Sequence, residues 1–113
     1  MIKFNMNIVR LNEELLEVLA EAVNREVGLP NALITITSVD VSPDLKQAKI
    51  GFSVLPDNLI GTALKTLEQA SGQLVLFIKK RMKLRRMPHL IWEFDATEKE
   101  AARIEKLIAA VDD

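Results

Sequence analysis

The sequence predicts an α+β two-layer sandwich, a three-stranded sheet with helices packed on one face. Three observations carry this. Apolar residues recur at three and four over residues 7–26 and again through the middle of the chain, the period of a helix with one buried face. They alternate at two over residues 46–55 and 90–94, the period of a strand buried on one side. Helical and extended stretches interleave, and no repeat or Gly/Ser linker divides the 113 residues, so one domain spanning 1–113 is expected.

The first helix is predicted over residues 7–26. Ile8, Leu11, Leu15, Val18, Leu19, Ala22 and Val23 form its inner stripe, and Glu13, Glu14, Glu17 and Glu21 take other faces. Gly28 and Pro30 end it. Residues 33–42 read as a strand in which Ile34 and Ile36 share one parity and Val39 and Val41 the other. A bulge near Thr37-Ser38 reconciles the two. Ser42-Pro43-Asp44 is a turn signal. In the next strand Ala48, Ile50, Phe52 and Val54 face one way, Gln47, Lys49, Gly51 and Ser53 the other. The two strands suit a hairpin.

Pro56-Asp57-Asn58 opens a second helix, with Asp57 or Asn58 as N-cap. Leu59, Ile60, Ala63, Leu64 and Leu67 form its apolar face. Ala70-Ser71-Gly72 interrupts it, because Gly costs about 1 kcal/mol relative to Ala within a helix. A kink is expected there. A further helical stretch follows, with Leu74, Val75, Ile78 and Met82 inward, until Pro88 stops it. Leu90, Trp92 and Phe94 alternate with His89, Ile91 and Glu93 as a third strand. Thr97 and Glu100 form a capping box that opens a last helix with Ala101, Ile104, Leu107, Ile108 and Val111 inward.

Composition narrows the function. Hydrophobic residues make up 49% and charged residues 27%, a globular balance. There is no cysteine, which excludes disulfides, thiolate metal sites and cysteine nucleophiles. No apolar run approaches the ~20 residues of a membrane helix, and the first residues lack signal-peptide character. A cytoplasmic location is expected.

The net charge is −1, but it is unevenly distributed. Residues 1–45 carry 3 basic and 7 acidic side chains, residues 46–86 carry 9 and 2, and residues 87–113 carry 3 and 7. Screening over roughly 8–10 Å lets the basic middle act locally.

Its densest part is residues 79–86, where Lys79, Lys80, Arg81, Lys83, Arg85 and Arg86 are cationic. One or two cations would serve the negative end of a helix dipole. Six without an acidic neighbour in sequence point to phosphate binding. Lys46 and Lys49 are candidates to extend the patch. Such contacts bring salt-dependent affinity and little sequence readout.

Other chemistry is sparse. His89 is the single histidine, no metal-ligand pattern accompanies it, and it reads as a solvent-facing strand residue. Glu93 and Asp95 read as an exposed acidic strand end. Trp92 and Phe94 share the parity of Leu90 and read as core, not as a base-stacking platform. The four glycines are scattered, so no phosphate loop forms. No enzyme site, cofactor or metal is expected.

The residues that follow resemble a known family. They are Thr35-Ile36-Thr37-Ser38-Val39-Asp40-Val41-Ser42-Pro43-Asp44-Leu45 with Gln47-Ala48-Lys49, then Ala63-Leu64 and Leu67 through Ala70-Ser71-Gly72. They continue with Leu84-Arg85-Arg86-Met87-Pro88-His89-Leu90, Phe94-Asp95 and Arg103-Ile104 with Leu107. This combination, spread over about 33–107, resembles the ribosome-binding factor A family. The resemblance implies a type II KH-like domain of order α-β-β-α-α-β plus a C-terminal helix. It also implies an Ala-x-Gly interhelical kink at Ala70, Ser71 and Gly72 in place of a GxxG clamp.

By the same resemblance the expected partner is the small ribosomal subunit and its 16S rRNA. The protein would assist late rRNA processing, leave the mature subunit, support growth in the cold and act as a monomer. No membrane or small-molecule substrate is implied. Family members commonly carry several arginines before the first helix, an Asp-Pro-Arg after it and a basic tail. Here Lys3 and Arg10 are the only basic residues before Arg25, Gly28-Leu29-Pro30-Asn31 follows the helix, and Asp112-Asp113 stand last. That shifts the expected burden onto residues 79–86. The competing expectation is a protein-interaction module that uses the acidic first helix or the polar sheet face without touching RNA.

Overall fold

The structure, a computed structural model, describes residues 6–96. Helix α1 (Met6–Glu26) is followed by strands β1 (Leu33–Val41) and β2 (Gln47–Leu55). A 3-10 turn (Asp57–Leu59), helix α2 (Ile60–Arg81) and strand β3 (His89–Phe94) complete the span. The sheet order is β1-β2-β3, with β1 and β2 antiparallel and β2 and β3 parallel. A parallel pair needs a long crossover, and α2 supplies it. The predicted helix beginning at Thr97 lies outside the described residues.

One core lies between a single face of the sheet and the two helices. Leu15, Leu19, Ala22 and Val23 from α1 and Ala63, Leu67, Leu74 and Ile78 from α2 are buried. They meet Ile34, Ile36, Val41, Ala48, Ile50, Phe52, Val54, Leu90 and Trp92 from the sheet. Phe52 on the central strand is fully buried. Its ring lies edge-on to Phe94, with centroids 6.0 Å apart and planes at 71°. Trp92 and Phe94 thus belong to the inner side, as their parity predicted. The outward row of Thr35, Asp40, Gln47, Lys49, His89 and Glu93 is exposed.

The expected bulge is present. The β1–β2 register shifts between Ile36 and Ser38, leaving Thr37 without a paired residue. After it, Val39 opposes Ile50 and Val41 opposes Ala48, which keeps the valines in phase with the core. Ser38 pairs with Gly51. A Cβ at Gly51 would run into Ser38 Oγ and lie 2.9 Å from Thr37 Oγ1, so the bulge needs a residue without a side chain opposite it. Ser42 and Asp44 close the hairpin. Ser42 Oγ donates to Asp44 Oδ1 at 2.7 Å and accepts from Gln47 N–H at 3.1 Å. Asp44 Oδ1 also accepts from Lys46 N–H at 3.1 Å. The bond from Ser42 first, then that from Lys46, hold the Asp44 carboxyl below its ordinary pKa.

Three expectations about the middle of the chain are corrected. First, the helical residues run unbroken through Ala70-Ser71-Gly72, so the two helices expected there are one helix of 22 residues. Gly72 keeps a negative φ, and a cost of about 1 kcal/mol is small beside the burial of Leu67, Leu74 and Ile78 on one continuous stripe. Second, neither Asp57 nor Asn58 is the N-cap. Both fall in the 3-10 turn, and Leu59 holds the cap position of α2 without a side-chain bond. Third, α2 ends at Arg81, well before Pro88. Met82 is extended at φ −124° and ψ 136°, while its N–H still bonds Ile78 O at 2.8 Å. Proline restricts only its immediate predecessor. The stop comes where the chain must turn back to start β3, and the buried Met82 side chain anchors the turn.

The Ser71 side chain joins two elements. Its Oγ donates to Leu67 O at 3.1 Å and accepts from Trp92 Nε1–H at 3.1 Å. Ser71→Ala leaves the buried indole N–H without its acceptor, which costs about 1–2 kcal/mol. The expected result is a lower urea midpoint with an unchanged m-value. Trp92→Phe should remove most of that penalty, because the donor is then gone. An unchanged midpoint in Ser71→Ala would show that the bond contributes nothing.

Candidate nucleic-acid interface

The cationic residues of the basic segment sit on two different backbones. Lys79, Lys80 and Arg81 occupy the last turn of α2, where cations complement the negative end of the helix dipole. Lys83, Arg85 and Arg86 lie on the connector of residues 82–88. Met82 and Pro88 are buried and Leu84 and Met87 half-buried, whereas Lys83, Arg85 and Arg86 are exposed. The apolar side chains pin the connector to the core and leave its cations in solvent. Sequence reasoning placed Lys83 on a helix. The signal for the connector was the near-alternation of apolar and basic residues from Met82 to Arg85.

The Lys46 backbone lies beside the end of the connector. The His89 N–H bonds Lys46 O at 2.9 Å, next to the end of the connector. The parallel pairing explains why, since Gln47 at the start of β2 lies beside His89 at the start of β3. Lys49 sits further along β2 on the exposed sheet face. It is opposite Asp40 on one side and Ile91 on the other, a ladder position that favours opposite charges. The structure thus places the Lys46 backbone next to the connector and Lys49 on the adjoining sheet face, opposite Asp40.

Arg81 has partners that the sequence did not reveal. Its Nη1 and Nη2 donate to Glu21 Oε2 and Oε1 at 2.9 and 3.0 Å, a bidentate pair to α1. Its guanidinium carbon lies 4.9 Å from the centroid of the Phe77 ring. Arg25 Nη2 also reaches Glu21 Oε1, at 3.3 Å. The segment has no acidic neighbour in sequence, but the fold supplies one in Glu21, 60 residues from Arg81. Helix direction accounts for the meeting. Glu26 and Val27 share a groove with Gln69, Ala70 and Gln73, while Glu21 lies beside Arg81, so α1 and α2 run antiparallel.

Among the described residues, no group of three His, Cys, Asp or Glu side chains is placed to hold a metal ion. No helix among them is long and apolar enough to cross a membrane. The exposed cations of 79–86, held on a helix end and a pinned connector, can bind anions in salt-dependent fashion.

The chain is thus an α+β domain with a mixed three-stranded sheet and a cationic connector on its surface. Comparison with known proteins gives the family: residues 7–108 match the family model described as ribosome-binding factor A. The chain belongs to the ribosome-binding factor A family. Ribosome-binding factor A of Natranaerobius thermophilus is 35% identical over 101 residues, covering 88% of this chain and 77% of that protein. The protein of the same name from Thioalkalivibrio sulfidiphilus is also 35% identical, over 88% of this chain and 78% of its own length. Among solved structures, the crystal structure of ribosome-binding factor A from Thermus thermophilus superposes with a TM-score of 0.70 at 25% identity. That match covers 77% of this chain and 93% of the other. A homology model of the Thermus thermophilus factor, fitted into a cryo-electron-microscopy map of a 30S–RbfA complex, superposes with a TM-score of 0.68. Its identity is 25%, again over 77% and 93% of the two chains.

Proposed function

We propose that this protein is a ribosome assembly factor that binds the small subunit and its 16S rRNA through the surface centred on residues 79–86. It assists late rRNA processing in the cytoplasm, binds as a monomer and leaves the mature subunit. The observation that carries the reading is the connector. Lys83, Arg85 and Arg86 stay exposed on a backbone that Met82 and Pro88 bury, so the cations are presented without ordering a loop. Lys79, Lys80 and Lys46 extend the surface, and Lys49 flanks it on the sheet. Support also comes from the Thermus thermophilus relative, described as part of a 30S complex. Growth in the cold is the condition under which loss of such a factor should matter most.

Contacts of this kind read the shape and phosphates of folded RNA, not its sequence. Co-sedimentation tests the reading. The protein should travel with immature small subunits at about 50 mM salt and be shed progressively toward about 200 mM. It should bind mature subunits more weakly. A protein that stays at the top of the gradient at low salt, or follows both subunit forms equally, would contradict an assembly role.

A further inference from the structure

We infer that Arg81 is a positioning residue, clamped by Glu21 and Phe77, and that phosphate binding falls to the cations on either side of it. This rests on the proposed RNA-binding role of residues 79–86. By sequence, Arg81 is one cation among six. Its surroundings set it apart. Both terminal nitrogens are engaged by the Glu21 carboxylate, at 2.9 and 3.0 Å. One face of the guanidinium lies over Phe77, at 4.9 Å from the ring centroid. Paired geometry of this kind is what an arginine would otherwise offer a phosphate. A phosphate arriving at Arg81 would also meet the Glu21 carboxylate. No ion pair is seen for Lys79, Lys80, Lys83, Arg85 or Arg86 among the described residues.

The place of Arg81 in the chain gives the clamp its purpose. It is the last residue of α2, and Met82 turns extended immediately after it. Holding Arg81 against α1 therefore sets the point and direction in which the connector leaves the helix. Glu21 is itself braced by Arg25 four residues later on α1, at 3.3 Å. Three side chains from two antiparallel helices thus fix the start of the connector, which the buried Met82 and Pro88 hold to the core.

The alternative is an autoinhibitory contact, in which Glu21 holds Arg81 back from RNA. The two differ in sign. If Arg81 were a restrained ligand, Glu21→Gln would free it and tighten binding. If Arg81 is a clamp, Glu21→Gln weakens binding even though a negative charge has been removed. The experiment measures binding of the full chain to immature small subunits between about 50 and 200 mM salt. The variants are Arg81→Gln, Glu21→Gln and the double variant, with Lys80→Gln as a phosphate-contact control.

The expected result is that each single variant binds about 2–5-fold more weakly, the scale of one exposed ion pair. The factor should shrink modestly as salt screens the pair, by less than the loss of a phosphate contact would give, and the double variant should be no worse than either single. Lys80→Gln should instead reduce the steepness of log K against log salt by about 0.7–0.9. Tighter binding by Glu21→Gln overturns the inference. So does a reduction in slope by Arg81→Gln equal to that of Lys80→Gln.

If the parent protein does not bind small subunits at all, the proposed function fails. The clamp is then decided by thermal unfolding. Each single variant should lower Tm by about 2–5 °C, and the double variant by no more than one of them. Additive losses would show that Arg81 and Glu21 are not coupled.

Discussion

Reversing three cations together, as Lys79→Glu, Lys83→Glu and Arg86→Glu, is expected to abolish association with small ribosomal subunits while leaving the fold intact. The size of the effect follows from counterion release. Five cations on five phosphates give a slope of log K against log salt of about −3.5 to −4.5. The parent should then weaken about 100–500-fold between 50 and 200 mM salt. The triple variant loses three such contacts and places three carboxylates against the phosphate backbone. Its affinity at 50 mM should fall at least about 100-fold. None of the three residues is in the core. Only Lys79 lies in the last helical turn, where an anion costs about 0.3–1 kcal/mol. The check is co-sedimentation beside circular dichroism on the same samples. A folded triple variant that pellets with subunits as the parent does would remove residues 79–86 from the mechanism.

Phe52→Ala should have the largest effect on stability. Phe52 is fully buried on β2, the central strand, with β1 on one side and β3 on the other. It opposes Ile36 and Phe94 in the two ladders and meets the Phe94 ring edge-on. The site is fully enclosed, so truncating the ring leaves a cavity inside the core. The expected cost is about 3–5 kcal/mol, which lowers Tm by about 15–30 °C in a domain near this size. Thermal unfolding followed by Trp92 fluorescence measures it directly. Phe52→Leu should recover most of the loss, because it restores volume without the ring. A shift under about 5 °C for the alanine variant would mean that the central strand is not packed as described.

Much of the fold could be read from local periods. Alternation identified β2 and β3, and the parity change between Ile36 and Val39 located the bulge at Thr37. The parity of Trp92 with Leu90 separated core aromatics from a base-stacking surface. Six cations in eight residues marked the candidate interface. These features are legible because side chains only one to four positions apart decide which face is buried.

Features that depend on where elements meet were not legible. A glycine and a distant proline suggested two helices with a long basic second member. Packing instead holds one helix through Gly72, because Leu67, Leu74 and Ile78 reward continuity. It ends that helix at Arg81, where burial of Met82 turns the chain toward β3. The bond from Trp92 to Ser71 spans 21 residues, and that from Arg81 to Glu21 spans 60. No local pattern encodes either, since each exists only once helices and strands have docked. The charge of the basic segment is thus written in its residues, whereas the pairing of Arg81 with Glu21, and not of its neighbours, is a product of packing. Burial constrains which face a side chain takes; the arrangement of whole elements chooses its neighbours.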